Sequence, residues 1–196
     1  MAKRLLDITV ASIGLVVLAP LLLVIGILIK IDSSGPVFFK GERIGQYGKR
    51  FYILKFRSMV PDAPRLGTAI TSQDDPRITK IGRVLRKTKV DELPSLVNVL
   101  KGEMSLVGPR PESPAWVERY TPQQRTVLTI KPGITGLAQI KYRNEETLLS
   151  AAHIETDYPR IMNDKLSIDL NYVENHSFGL DLRILFGTAV ALFRRS

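Results

Sequence analysis

The sequence has no cysteine, only two histidines and a single tryptophan among its 196 residues. Without cysteine the chain forms no disulfide, offers no thiolate nucleophile and holds no cysteine-ligated zinc, and nothing indicates an oxidising compartment. His153 and His176 lie apart without a metal-ligand spacing, so we interpret both as structural or surface residues. The common glycine-rich nucleotide loops and the HExxH zinc helix are also absent. These absences exclude thiol chemistry and leave carboxylates and cations as the groups to examine.

Positive charge is in excess, with 28 Lys and Arg against 19 Asp and Glu, a formal net charge of +9. Such a balance suits an anionic partner, namely nucleic acid, anionic lipid headgroups or phosphorylated substrates. A nucleic-acid-binding domain is disfavoured because aromatic residues do not interleave with the basic cluster. The chain length fits one compact domain plus one membrane anchor.

An apolar run from Ile8 to Ile29 contains no charged residue. As a helix it would cover roughly 33 Å, enough to cross the hydrocarbon core of a bilayer. Pro20 removes one backbone hydrogen bond near its middle and predicts a bend or break there. Basic residues flank both ends, and such residues favour the cytoplasm: Lys3, Arg4, Lys30 and Lys40. The pattern predicts a re-entrant helix, with a straight span as the alternative.

Residues 35–59 contain two strand-like runs joined by a glycine-rich turn around Gly45 to Gly48, which predicts a β-hairpin. Alternation along the second run places four side chains on one side: Phe51, Ile53, Lys55 and Arg57. Two cations then project together from the hairpin. A solvated strand edge guarded by charge is the alternative.

Further helices are predicted from apolar spacing and end signals. A basic amphipathic helix places Ile81 and Leu85 on one face, and a short helix over Glu92 to Lys101 begins with Asp91 as its cap. Residues 145–163 are also expected to be helical. The C-terminal apolar stretch from Gly179 onward is predicted to form either a core helix or a helix docked on the membrane surface.

Carboxylates and cations meet in one short segment, where Asp91 and Glu92 follow Arg86 and precede the Pro109-Arg110-Pro111 turn. A helix N-terminus attracts phosphate oxygens and lowers the pKa of a carboxyl group. An ionised Asp91 there could attack phosphorus, and two adjacent carboxylates are the hard oxygen ligands that Mg²⁺ takes beside substrate phosphates. A cap and dipole partner is the alternative role for this pair.

Taken in order, these segments resemble the bacterial sugar transferases of the small monotopic phosphoglycosyl transferase family. The resemblance covers almost the whole chain and rests on KRLLDI, the Pro-broken membrane run, SGPVFFKGERIGQYGKRFYILKFRSM, ITKIGRVLRKTKVDELPSLVNVLKGEMSLVGPRPE and KPGITGLAQ. It implies an α+β fold with a re-entrant membrane helix over residues 1–32 and a catalytic domain over residues 33–196. That domain is expected to be compact and mainly helical, with a small β-hairpin and interfacial amphipathic helices. One departure is that Pro20 follows Ala19, whereas the family's bend is often Ser-Pro.

The resemblance also implies the chemistry. Asp91 attacks the β-phosphate of a UDP-sugar, releases UMP and holds the sugar phosphate covalently until polyprenol (undecaprenyl) phosphate collects it, with Glu92 and Mg²⁺ assisting. The implied metal ligands are Asp91 and Glu92, and the implied substrate-binding residues are Arg86, Arg110, Pro109, Pro111, Lys55, Arg57 and Arg143.

The implied location is the cytoplasmic face of the bacterial inner membrane, in exopolysaccharide or lipopolysaccharide biosynthesis, and the chain resembles the minimal catalytic form. The sequence does not identify the sugar, and it leaves a monomer or a homodimer open. A non-catalytic, membrane-anchored module that binds anionic lipid or a partner protein is the rival interpretation.

Overall fold

The computed structural model describes residues 1–66, 71, 75–148 and 154–193. A long first helix, α1 (Ala2–Asp32), precedes the strands β1 (Phe38–Ile44) and β2 (Arg50–Phe56). The later elements are α2 (Ala63–Leu66), α3 (Lys80–Thr88), α4 (Leu96–Lys101), β3 (Ser105–Val107), α5 (Pro114–Val117), β4 (Gly133–Thr135), α6 (Leu137–Lys141), α7 (Glu145–Leu148), α8 (Ile154–Asn175) and α9 (Phe178–Phe193). Short 3₁₀ segments lie at Gln46–Gly48, Val90–Ser95 and Gln124–Thr129. The predicted α+β fold is confirmed.

Helix α1 is long and apolar enough to cross a membrane, judged by its length and composition. Only 11% of its most apolar stretch is buried, and the buried positions of the helix include Ala11, Ile25 and Ile29. The helix continues through Pro20 rather than dividing into two, since one missing hydrogen bond does not remove the others. The predicted break is therefore wrong, whereas the bend and the re-entrant course stay predictions.

Both ends of α1 are bonded to the rest of the protein. Near the start, Lys3 Nζ lies 2.7 Å from Asp181 Oδ2 of α9. At the end, Asp32 Oδ2 accepts a hydrogen bond from the backbone N–H of Ile81 in α3 at 3.0 Å. The body of the protein therefore holds the two ends of this helix at the same time.

Strands β1 and β2 pair in antiparallel fashion and confirm the predicted β-hairpin. The side chain of Asn98 in α4 bonds the hairpin, because its Oδ1 accepts from Leu54 N–H at 3.0 Å and its Nδ2 donates to Tyr52 O at 2.8 Å. The main core lies where the hairpin meets α1, α4, β3, α8 and α9, and its buried members include Phe51, Ile53, Leu96, Val99, Met104, Val107, Tyr172 and Ile184. These contacts fix the hairpin against the 90–101 segment.

Strands β3 and β4 form a short parallel pair in which Ser105 lies opposite Gly133. The loops around this pair approach so closely that a Cβ on Gly108 would lie 2.4 Å from the carbonyl oxygen of Lys131. Glycine is needed at such a contact because any side chain would clash with backbone. This packing places the GPRP and KPGITG segments side by side.

The helix predictions are confirmed in part. Helix α3 buries Leu85 as expected, and α8 continues to Asn175, well beyond the predicted 145–163, while residues 149–153, including His153, lie outside the described residues. Helix α9 buries Ile184, as a core helix should, and exposes an apolar stripe of Phe178, Leu182, Phe186 and Val190. Docking of that stripe on a membrane stays a prediction. His176 is exposed, which confirms its interpretation as a surface residue.

Candidate active site

Asp91 and Glu92 lie in the first turn of the 3₁₀ segment Val90–Ser95, where the sequence predicted the cap and the start of a helix over Glu92 to Lys101. Pro94 donates no backbone hydrogen bond within this segment, and the regular α-helix α4 begins only after it, at Leu96. The preceding residue, Lys89, has a left-handed backbone with φ 59°. Asp91 makes no side-chain cap, contrary to the prediction, and is buried beside the hairpin.

The carboxylate of Glu92 is shared by two cations. Its Oε1 lies 2.6 Å from Lys55 Nζ and 3.2 Å from Arg110 Nη2. Burial opposes ionisation of Glu92, but the charges of Lys55 and Arg110 outweigh it and hold the pKa of this carboxyl well below its usual range. The structure thus joins three residues that lie far apart in the sequence.

Asp91 has a different environment from its neighbour. Its side chain is buried, and its Oδ1 has no hydrogen-bond partner among the described residues. Burial, together with the charge of Glu92, raises the pKa of Asp91, although Lys55 and Arg86 partly oppose the shift. The sequence had predicted a lowered pKa from the helix N-terminus; desolvation outweighs that effect here.

A buried carboxylate oxygen without a protein partner costs free energy unless a water, an ion or a ligand bonds it. In the described part of the chain, no group of three or more His, Asp or Glu side chains could hold a metal ion. Mg²⁺ commonly takes only one or two carboxylates together with substrate phosphates and water. Asp91 Oδ1 therefore fits the predicted Mg²⁺, whereas Glu92 already shares an oxygen with two cations.

The backbone of the Pro109-Arg110-Pro111 turn is held from two sides. Gly133 N–H donates to the carbonyl oxygen of Pro109 at 2.8 Å, and the backbone of Arg110 lies near enough to the carboxyl group of Asp169 in α8 to lower the pKa of that group. Asp169 is 4% exposed, and burial raises its pKa to about 7. Sequence reasoning missed Asp169 because nothing nearby in the chain marks it.

A cleft opens beside this turn. Its lining residues are Arg43, Ile53, Lys55, Glu92, Ser95, Met104, Arg110, Pro111, Gly133 and Ile134. Arg86, in the last turn of α3, acts on Asp91 through its charge. Among these described lining residues, Arg43 is a cation that the sequence-based site did not include. It could have been found from the sequence, because it lies on the first strand of the predicted hairpin, opposite the strand that carries Lys55.

One predicted cation, Arg57, lies elsewhere. Strand β2 ends at Phe56, so Arg57 leaves the alternating pattern and its Nη2 bonds Ser33 O at 2.8 Å and Ser33 Oγ at 3.0 Å, where α1 ends. The structure therefore does not bring Arg57 to the Asp91 site. Arg143 lies in the turn between α6 and α7 and, like Asp91 and Arg86, is not among the residues that line the cleft, so its role stays a prediction.

An apolar membrane-type helix, joined to a body in which buried carboxylates meet arginine and lysine, defines a membrane-associated protein with a site suited to phosphate groups. The profile of the family described as bacterial sugar transferase matches residues 1–195. The chain belongs to this family.

Three relatives illustrate the similarity. The chain is 42% identical to the exopolysaccharide production protein PSS of Rhizobium leguminosarum bv. phaseoli, over 98% of this chain and 96% of the relative. It is 37% identical to the UDP-glucose:undecaprenyl-phosphate glucose-1-phosphate transferase of Caulobacter vibrioides, over 97% of this chain and 69% of the relative. It is 38% identical to the UDP-N-acetylgalactosamine-undecaprenyl-phosphate N-acetylgalactosaminephosphotransferase of Aeromonas hydrophila, over 95% of this chain but 42% of the relative.

Proposed function

We propose that the protein is a phosphoglycosyl transferase that moves a sugar 1-phosphate from a UDP-sugar to polyprenol (undecaprenyl) phosphate. The products are a polyprenyl diphosphate sugar and UMP, and the reaction is the first membrane step of surface glycoconjugate synthesis. The observation that carries the proposal is the buried Asp91 carboxylate, whose Oδ1 lacks a partner among the described residues, beside a Glu92 held by two cations. Two of the relatives are named as transferases that use undecaprenyl phosphate.

The first chemical step is an attack by Asp91 on the donor. A bond forms between a carboxylate oxygen of Asp91 and the β-phosphorus, while the bond from that phosphorus to the bridging oxygen breaks. UMP leaves with the bridging oxygen and its electron pair. Desolvation favours this attack, because a poorly solvated carboxylate is more basic and so more nucleophilic once ionised.

In the second step, a phosphate oxygen of the lipid attacks the same phosphorus, and the bond to Asp91 breaks to restore the carboxylate. Two displacements let one site serve a soluble donor and a membrane-bound acceptor in turn. Lys55, Arg86 and Arg110 place positive charge around Asp91 and Glu92, where negative charge develops on phosphate oxygens. Mg²⁺ held at Asp91 would supply further neutralisation of the same charge.

The proposed location is the cytoplasmic face of the bacterial inner membrane, with α1 entering and leaving the bilayer on one side. Contacts at both ends of α1 with the same body support this course, because a full span would detach either Lys3 from Asp181 or Asp32 from Ile81. Basic flanks on both sides of the apolar run favour the same topology.

Purified protein incubated with polyprenol phosphate and a panel of UDP-sugars tests the proposal through release of UMP. We expect one or a few UDP-sugars to support continuous release of UMP. This multiple-turnover release should require both the lipid acceptor and Asp91. If no UDP-sugar yields UMP while the protein still binds anionic vesicles, the protein is a membrane-anchored binding module rather than an enzyme.

A further inference from the structure

Arg43 and Lys55 project from the same face of the hairpin. In the antiparallel register Arg43 lies opposite Phe51 and Phe39 lies opposite Lys55, and directly opposed residues share a face. Both side chains line the cleft that also contains Glu92 and Arg110. The hairpin thus places two cations at the cleft: Lys55, which pairs with Glu92, and Arg43.

Gly41 makes room for the guanidinium of Arg43 inside this face. A Cβ at Gly41 would lie 3.3 Å from Arg43 Nη1 and 2.8 Å from a ring carbon of Phe39. Gly41 sits between these residues on β1, at a strand position where glycine is unfavourable unless close approach requires it. The missing side chain therefore leaves the Arg43 guanidinium free to lie along the hairpin face toward the cleft.

The charge of Arg43 is only partly compensated. Lys55 and Arg110 both form ion pairs with Glu92, whereas in the described part of the chain Arg43 forms none and its Nη1 donates to the carbonyl oxygen of Glu42 at 2.7 Å. Burial lowers the pKa of Arg43, although Glu112 opposes the shift. Arg43 thus interacts with Glu112 through its charge but makes no close ion pair, and a partly desolvated guanidinium of this kind is suited to bind phosphate oxygens.

The residues that line the cleft carry an excess of positive charge. Its lining contains three cations, Arg43, Lys55 and Arg110, and one carboxylate, Glu92, a formal excess of two positive charges. The diphosphate bridge of a nucleotide sugar carries two negative charges at neutral pH. Lys55 and Arg110 are already shared with Glu92, whereas Arg43 is the cation in this lining that does not pair with it.

We propose that Arg43 is a third phosphate-binding cation of the donor site and contacts the diphosphate of the nucleotide sugar together with Lys55 and Arg110. The assignment rests on the proposed function. In this assignment Arg43 binds the soluble donor and does not bind the lipid phosphate.

Binding of UDP to the full-length protein in detergent, measured by isothermal titration calorimetry, tests the assignment without turnover. Arg43→Gln should weaken UDP binding about tenfold or more, the usual effect of losing one charge-assisted contact. Arg43→Lys should fall between wild type and Arg43→Gln, because it keeps the charge but loses the planar fork. The matched control is Arg50→Gln on the same hairpin, whose exposed side chain pairs with Glu42 and should leave UDP binding unchanged.

Steady-state kinetics then separate donor from acceptor. We expect Arg43→Gln to raise the KM for the UDP-sugar and to leave the KM for polyprenol phosphate unchanged. Equal UDP affinity in wild type and Arg43→Gln, or a rise confined to the KM of the lipid, would overturn the assignment. If wild type itself neither binds UDP nor releases UMP, the proposed function fails, which is a different result from an Arg43→Gln variant that behaves as wild type.

Discussion

Lys55→Met removes the closer of the two cations that neutralise Glu92, and the structure gives the size of the expected effect. At 2.6 Å and an effective dielectric constant of about 20, the attraction between the charges is about 6 kcal/mol before desolvation is counted. The net loss is smaller, because Arg110 still pairs with Glu92 and the Lys55 and Glu92 side chains are 14% and 18% exposed. We expect the free energy of unfolding to fall by about 2 kcal/mol.

For a chain of this length, that loss corresponds to a lower Tm by roughly 4–8 °C, measurable by thermal unfolding in detergent. Lys55→Met combined with Glu92→Gln should recover most of the loss, since a neutral amide needs no cation. The control is Arg50→Met, which breaks an exposed pair with Glu42 and should cost about 0–1 kcal/mol. A double variant no more stable than Lys55→Met would refute the reasoning, because Glu92 would then not be the origin of the cost.

Three other predictions concern donor binding, topology and pH. Arg110→Ala should lower kcat/KM for the donor roughly 10- to 100-fold while the circular dichroism spectrum is unchanged; wild-type kinetics at subsaturating donor would remove Arg110 from the site. Cysteines introduced at Ala2 and Lys40 should both be protected from an impermeant external reagent in intact cells, and modification of only one would exclude the re-entrant course; Pro20→Leu should shift the population toward a full span. Because burial raises the pKa of Asp169 to about 7, from about 4 in the unfolded chain, the free energy of unfolding should fall as the pH rises from about 4 to 7. Asp169→Asn should flatten that slope, and identical pH profiles would contradict it.

Local patterns in the sequence predicted the elements that surround the site. The glycine-rich turn between two alternating runs indicated the hairpin, and the alternation correctly placed Lys55 with Ile53 on its inner face. The spacing of Ile81 and Leu85 indicated α3, whose last turn carries Arg86. These elements depend on interactions between residues close together in the chain, so they can be predicted without knowledge of the fold.

Features set by tertiary packing were not predictable in this way. Alternation alone does not show where a strand ends, so Arg57 was assigned to the face of Lys55 although it bonds the end of α1. Asp169 reaches the Arg110 backbone from a helix far along the chain. The raised pKa of Asp91 arises from burial, and burial depends on the hairpin packing against the Val90–Ser95 segment.

The most direct test of the account is intact-protein mass spectrometry of the purified enzyme, quenched rapidly after addition of the UDP-sugar without lipid acceptor. The account predicts a mass increase equal to one sugar phosphate, located on the peptide that contains Asp91 and discharged when polyprenol phosphate is added. Asp91→Asn should show neither adduct nor turnover, and its stability should not fall at neutral pH, because it removes a buried carboxylate whose ionisation is penalised. Turnover without any adduct, together with kinetics that require a ternary complex, would contradict the covalent mechanism and would leave Asp91 with the role of metal ligand alone.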